Sequence, residues 1–287
     1  MLRRRDYTGV GGLPIAADVG GDPQTQRTVI LLHGGGQTRS SWGTAAVALV
    51  EAGYAAIALD ARGHGESGWA PGGDYQMEHF AGDVLGVIDT LPQKPALVGA
   101  SLGGITSLMA LKYAREQGRD PAAALVLVDI ATRMNPEGAK KIGAFMHGNP
   151  EGFATLEEAA DAVAAYLPHR KRPSDVSGLR KNLRQGPDGR WRWHWDPAFG
   201  RGPRSPEEMK MFQAILDQAV RDLTVPTLLV RGGKSEIVTD EAVQHFRTLL
   251  PAAEHVNVQD ASHMVAGDSN DAFNAAILDF LARSLKR

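Results

Sequence analysis

Six short runs along the chain are almost uninterrupted in Val, Leu, Ile and Ala: TVILLHG from Thr28, YAAIALD from Tyr54, PALVG from Pro95, ALVLVDI from Ala124, PTLLVRG from Pro226 and EHVNV from Glu254. Runs of that length and composition predict strands covered on both faces. Between and after them lie amphipathic stretches of helical spacing, over 40–52, 77–91, 102–115, 240–250 and 270–285. Such alternation predicts a parallel sheet with right-handed crossovers, an α/β fold. The glycine-rich opening YTGVGGLPIAADVGG alternates with period two and predicts an antiparallel hairpin at the sheet edge. The alternation stops after Asp129 and resumes at Thr224. In between are helical patterns over 157–166 and 206–223, links rich in Pro, Gly and Arg, and GRWRWHWDP, which holds three of the five tryptophans. This stretch reads as an insertion over the sheet without a core of its own. The expected division is a core of residues 1–130 and 223–287 with an inserted helical cap at 131–222.

Composition narrows the function classes. At 287 residues the chain can bury a full core. A net charge of −2 gives no global reason to expect nucleic acid or an anionic membrane as partner. The absence of cysteine removes disulfides, thiolate metal sites and thiol nucleophiles. No apolar run approaches the roughly 20 residues that cross a bilayer, and the basic start MLRRRDYTGVGG lacks the apolar segment of a signal peptide. A cytoplasmic protein, monomer or homodimer, is expected. None of the nine histidines sits in a metal-binding frame such as HExxH, so neither a metal nor another cofactor is expected.

Ligands of doubly wound sheets sit at the carboxyl ends of the strands. The strand from Pro95 ends in GASLG, a G-x-S-x-G spacing that suits a sharp strand-to-helix turn with the Ser101 oxygen pushed into the open. Packing turns of small residues are the competing explanation. A serine nucleophile needs a base. His263 follows the last strand in QDASHMVAGD, whereas His79 and His245 lie in helical patterns and His147, His169 and His194 in the insertion. A third group must orient the imidazole. Glu236, in LLVRGGKSEIV, is the favoured acid, and Asp129, in LVLVDI, is the alternative. The glycine run of LLHGGGQTRSSW lets the backbone approach a reacting carbonyl, so the N–H groups of Gly35 and Leu102 are the expected oxyanion hole. A phosphate cradle is disfavoured, because neither GxxxxGK[ST] nor GxGxxG is present.

Taken in order, HGGG (33–36), DARGHGES (60–67), GASLGG (99–104), RGGKSEIV (231–238) and ASHMVAGD (261–268) resemble the α/β-hydrolase fold superfamily over nearly the whole chain. The chain looks like its capped esterase, epoxide-hydrolase and cofactor-free haloperoxidase neighbourhood. The resemblance implies an eight-stranded sheet whose second strand is antiparallel, and a helical cap inserted after the sixth. Two positions depart from those relatives: Glu236 stands where they usually carry aspartate, and Ser101 where epoxide hydrolases and haloalkane dehalogenases carry aspartate. Those last two chemistries need a carboxylate to form an alkyl-enzyme ester, so they are set aside.

Trp191, Trp193 and Trp195 alternate and would face one side of an extended segment. They form either packing for the cap or an apolar wall for substrate, with Phe145, Met146, Met209, Met211 and Phe212 adding adaptable surface. Trp42, Phe145, Met146, Trp191, Trp193 and Met211 are the candidate substrate contacts. Residues 131–222 hold fifteen Lys and Arg against twelve Asp and Glu, HRKR from His169 included, which fits a solvated face and leaves anionic substrates open. The expected activity is that of a cofactor-free serine hydrolase, carboxylesterase- or lactonase-like, acting through an acyl-enzyme on a small to medium ester, thioester or lactone with an apolar or aromatic portion. A perhydrolase, a C–C hydrolase, cofactor-free dioxygenation and a non-catalytic ligand receptor are the alternatives.

Overall fold

The computed structural model describes residues 1–168, 172–200, 205–259, 261, 263 and 270–285; of the motifs ASHMVAGD and HRKR, only Ala261, His263 and Arg172 fall among them. The strands are β1 (Arg3–Thr8), β2 (Pro14–Gly20), β3 (Thr28–Leu32), β4 (Ala55–Leu59), β5 (Ala96–Ala100), β6 (Ala124–Val128), β7 (Leu183–Gln185), β8 (Trp191–Trp193), β9 (Thr227–Gly232) and β10 (Glu254–Val258). The helices are α1 (Gly43–Glu51), α2 (Met77–Ile88), α3 (Leu102–Glu116), α4 (Pro136–His147), α5 (Leu156–Tyr166), α6 (Pro206–Arg221), α7 (Asp240–Leu249) and α8 (Asn270–Ser284).

Every residue of β3, β4, β6 and β9 is buried, as their unbroken apolar composition requires when helices cover both faces. Side chains nevertheless alternate. Ile30, Leu32, Leu97, Leu125, Leu127 and Leu229 face Val84, Leu108 and Phe246 on one side. Val29, Leu31, Val98, Val126, Val128 and Val230 face Leu49, Phe273 and Phe280 on the other. β10 differs: only Val258 is buried, because this strand closes one edge of the sheet.

The eight-stranded sheet runs β1-β2-β4-β3-β5-β6-β9-β10. β2 is antiparallel to β1 and β4, and the remaining pairs are parallel. After β3 the chain steps to β4 on one side, and β5 then lies on the other side of β3. That reversal opens a crevice at the carboxyl ends of β3 and β5, the place where open α/β sheets bind ligands.

Between β6 and β9 the chain builds α4, α5, the antiparallel pair β7–β8, and α6. The helix α4 and the β7–β8 pair were not legible in the pattern. Helix α4 starts at a strong signal, with Asn135 capping the Glu137 N–H at 3.1 Å and Pro136 at the first turn. Gly138 and Gly143 dilute its helical character. Gly138 has a packing reason: a Cβ there would stand 2.7 Å from the Glu236 carbonyl oxygen and 2.6 Å from Ile237 Cδ1. The expectation of an insertion without its own core is corrected by a small apolar cluster of Phe153, Leu156, Ala159, Leu183, Trp193 and Trp195. The indole rings of Trp193 and Trp195 stack at 5.1 Å, and three large aromatics suffice to hold short elements together. Helix α6 is shared: Leu216 and Val220, in its second half, pack into the main core.

Candidate active site

Ser101 joins β5 directly to α3 at φ 46°, ψ −111°, a region that non-glycine residues occupy at a cost of order 1–3 kcal/mol. The glycines around it permit a very close strand–helix approach. A Cβ on Gly99 would lie 2.4 Å from the Gly103 carbonyl oxygen, one on Gly103 2.2 Å from the Leu32 oxygen, and one on Gly104 2.4 Å from Ile130 Cγ2. The turn is further held by the Ser101 N–H donating to the Val128 carbonyl at 3.1 Å.

Asp129 follows β6 at φ 48° and is wholly buried. Its carboxylate accepts from the Gly232 N–H at 2.9 Å and from Ser235 Oγ at 2.5 Å, and Oδ2 lies 2.6 Å from His263 Nδ1. Glu236 does not reach the imidazole. Its side chain is 65% exposed and paired with Lys141 at 2.7 Å. This overturns the preference for Glu236 as the partner of His263. The reason is local: in the loop after β9, Ser235 turns inward and accepts the Ile237 and Val238 N–H groups, each at 3.1 Å, while the next residue faces solvent. With Nδ1 on the carboxylate, the other ring nitrogen of His263 is free to act elsewhere, and His263 and Ser101 line the same cavity.

The loop after β3 carries the glycine run. The Gly34 N–H donates to Gln37 Oε1 at 3.0 Å and the Gly36 N–H to His64 Nε2 at 3.1 Å. The Gly35 N–H has no partner among the described residues. Leu102 is the first residue of α3, so its N–H is not taken up inside the helix. Both residues line the cavity with Ser101.

DARGHGES is the scaffold beneath this loop. Asp60, wholly buried at the end of β4, accepts the Arg39 and Glu66 N–H groups at 2.7 and 2.8 Å and pairs with the Arg39 guanidinium. Arg62 makes a buried two-pronged pair with Asp83, at 2.7 and 2.6 Å. His33, His64 and His194 form a buried imidazole cluster with neighbouring centroids 5.3 and 5.9 Å apart. Burial pushes all three below the usual imidazole range, His194 to about 3; mutual repulsion adds to the effect at His64 and His194. Among the described residues no group of three or more His, Asp or Glu is arranged to hold a metal ion.

The cavity over Ser101 measures about 1180 Å³ and is lined mainly by apolar and aromatic side chains. Of the expected contacts, Phe145, Met146 and Trp193 line it. Trp42, Trp191 and Met211 do not. Trp42 is buried against Phe273 in the main core, since the chain behind the glycine run turns down into α1. Trp191 packs under the Arg180 guanidinium, and Met211 lies on the outer face of α6, 67% exposed. Trp195, expected with its two neighbours as either packing or wall, lines the cavity as well; Ile105, Tyr166 and Phe199 line it and were missed as contacts, Ile105 alone among them carrying a signal, being one turn past the serine on α3. No Asp or Glu is among the described lining residues, and Lys140 supplies the one Lys or Arg.

No helix among the described residues is long and apolar enough to cross a membrane. A family model described as alpha/beta hydrolase fold matches residues 27–269. The chain is 34% identical over 249 residues to an esterase, Rv0045c, of Mycobacterium tuberculosis, covering 84% of this chain and 78% of that protein. It is 27% identical over 255 residues to a 3-hydroxybutyrate-oligomer hydrolase of Cupriavidus necator, covering 85% and 84%. The crystal structure of E-2-(acetamidomethylene)succinate hydrolase superimposes with a TM-score of 0.80 over 98% of this chain and 99% of that one, at 24% identity, a likeness of fold. With a family match spanning residues 27–269 and a relative 34% identical over 84% of its length, the chain belongs to the α/β-hydrolase fold family.

Proposed function

We propose that the protein is a serine hydrolase that cleaves carboxylic esters, thioesters or lactones through an acyl-enzyme, with Ser101 as nucleophile, His263 as general base and acid, and Asp129 as the group that orients the imidazole. The observation that carries this reading is the 2.6 Å contact between His263 Nδ1 and Asp129 Oδ2 on the rim of the cavity that Ser101 opens into. With Nδ1–H committed to the carboxylate, Nε2 is the nitrogen that takes the Ser101 proton as Oγ attacks the carbonyl carbon. The tetrahedral oxyanion is held by the Gly35 and Leu102 N–H groups, the two donors left over by the loop and by the helix start. Collapse expels the alcohol or thiol, which receives the proton from His263. A water activated by the same imidazole then releases the acid.

Residues 131–222 act as the cap that roofs this reaction, bringing Phe145, Met146, Tyr166, Trp193 and Trp195 over the nucleophile. Such walls suit a medium-sized apolar or aromatic substituent. A lining with Lys140 and no carboxylate among its described residues fits neutral or anionic substrates better than cationic ones. That related proteins are named esterase and hydrolase supports the same class.

The test is a panel of p-nitrophenyl esters, lactones and thioesters with wild-type protein and Ser101→Ala. Turnover by wild type and a loss of at least about a thousandfold in the variant, whose fold stays intact, is expected. Unchanged cleavage by Ser101→Ala, or tight ligand binding with negligible wild-type turnover, overturns the reading, the second result in favour of a receptor.

A further inference from the structure

The glycine loop is held in part by its own Gln37, which accepts the Gly34 N–H at 3.0 Å, and in part by two histidines. His33 Nδ1 lies 2.7 Å from the Gly34 carbonyl oxygen, and its Nε2 accepts the Ala61 N–H at 2.9 Å. His64 Nε2 accepts the Gly36 N–H at 3.1 Å, while its Nδ1 lies 3.0 Å from the Arg62 carbonyl oxygen. An N–H can donate only to a bare ring nitrogen, and a carbonyl only accepts. Both rings are therefore neutral, with the proton on Nδ1. Gly34 and Gly36 are thus tied down on either side of Gly35, whose N–H remains for the cavity.

We propose that His64 is a positioning residue for the oxyanion hole: by accepting the Gly36 N–H it fixes the peptide plane that follows Gly35, so that the Gly35 N–H points at the developing oxyanion. The inference rests on the reading of Ser101 as nucleophile. It assigns to the GHG part of DARGHGES a role that the triad does not need.

Three features of the surroundings fit a part built to stay rigid. His64 is wholly buried, so no water competes for Nε2. The Phe199 ring stands edge-on to it at 4.7 Å and also lines the cavity, so one aromatic touches both the substrate space and the support. His194, from the segment after β8, accepts the Gly65 N–H at 2.7 Å beside it. The Asp196 N–H donates to the Gly63 carbonyl at 2.8 Å, so the inserted segment clamps the same turn from outside. The groups near His64 are the imidazoles of His33 and His194, and then Arg62, Arg39 and Asp60, the last three engaged in ion pairs. None of the five is a free carboxylate that would favour a charged imidazole at 64.

The experiment compares His64→Gln with His64→Asn. A glutamine oxygen reaches the place of Nε2 and keeps an acceptor for Gly36. An asparagine reaches only the place of Nδ1, keeping the contact to Arg62 and losing the one to Gly36. The expected result is a kcat at least about tenfold higher for His64→Gln than for His64→Asn, with KM equal within about twofold and matching melting temperatures. Equal kcat values, or a difference carried by KM, would overturn the proposal.

Should either variant fail to fold, or wild type show no ester turnover, the wild-type protein labelled with ¹⁵N decides. A His64 Nε2 resonance in the unprotonated range, coupled to the Gly36 amide before and after a fluorophosphonate reacts at Ser101, is expected. A protonated Nε2, or loss of the coupling in the adduct, would count against it. The functional reading itself fails separately, on Ser101→Ala.

Discussion

Three donors converge on the buried carboxylate of Asp129, and each arrives from a different segment: Gly232 from the end of β9, Ser235 from the loop beyond it, and His263 from the chain past β10. Ser235 does two things there, donating to Asp129 and accepting from Ile237 and Val238. Replacing it with alanine removes one hydrogen bond to a charged group, a contribution of about 1.5 kcal/mol. We expect Ser235→Ala to lower kcat about tenfold with KM little changed; a loss below twofold would mean the hydroxyl only shapes the loop. That Ser101, His263, Gly35 and Leu102 share one cavity was legible, because each sits next to a strand end with a distinctive local spacing. The acid was not. Asp129 and Glu236 both follow strands and both preserve the Ser–acid–His chain order, and which one turns inward depends on a loop conformation set by Ser235 and by α4 resting on the Glu236 carbonyl.

Among the elements, α3 meets β5 and β3 at distances that only glycine allows. Gly103 is the tightest point, with its absent Cβ 2.2 Å from the Leu32 carbonyl oxygen of β3, a backbone atom that has little freedom to retreat. Gly103→Ala therefore pushes α3 away from the sheet and is expected to cost about 1–3 kcal/mol, read as a lower urea midpoint with an unchanged slope. Because the same shift moves Leu102 and Ser101, ester turnover should fall more than the lost stability alone accounts for. A variant as stable and active as wild type would contradict the close-packing account. The sheet strands were readable for a related reason: buried on both faces, they tolerate little but Val, Leu, Ile and Ala. The elements of residues 131–222 were harder. Helix α4 carries two glycines, one required by packing against Glu236 and Ile237, and β7 and β8 are three residues each. Their tryptophans announced an aromatic cluster without revealing that Trp191 faces Arg180 while Trp193 and Trp195 face the cavity.

For the whole molecule, the buried histidines set the response to acid. His33, His64 and His194 have folded-state pKa values held below the ordinary imidazole value by burial, to about 3 for His194. The unfolded chain binds their protons below roughly pH 6.5 whereas the folded one does not. Their contribution to stability is therefore complete above pH 6.5 and is lost as the pH falls through and below that value. Between pH 7 and 5.5 the loss is about 1 kcal/mol for each strongly shifted imidazole. That window lies above the range where most carboxylates titrate, so the slope reports histidine. Urea unfolding at steps from pH 7 to 5.5 should show a steady fall that His194→Gln reduces; a flat profile would contradict neutral burial of the cluster. His194 joins the segment between β6 and β9 to the core through the Gly65 N–H, so acid should loosen the cavity roof as well as the core.

Asp129, not Glu236, is the proposed partner of His263, and the most direct measurement is kcat/KM for one good ester with Asp129→Asn and Glu236→Gln side by side. We expect Asp129→Asn to lose about a thousandfold or more and Glu236→Gln, whose exposed side chain pairs with Lys141, to stay within about twofold of wild type. A large loss confined to Glu236→Gln, or full activity in Asp129→Asn, would contradict the proposed mechanism.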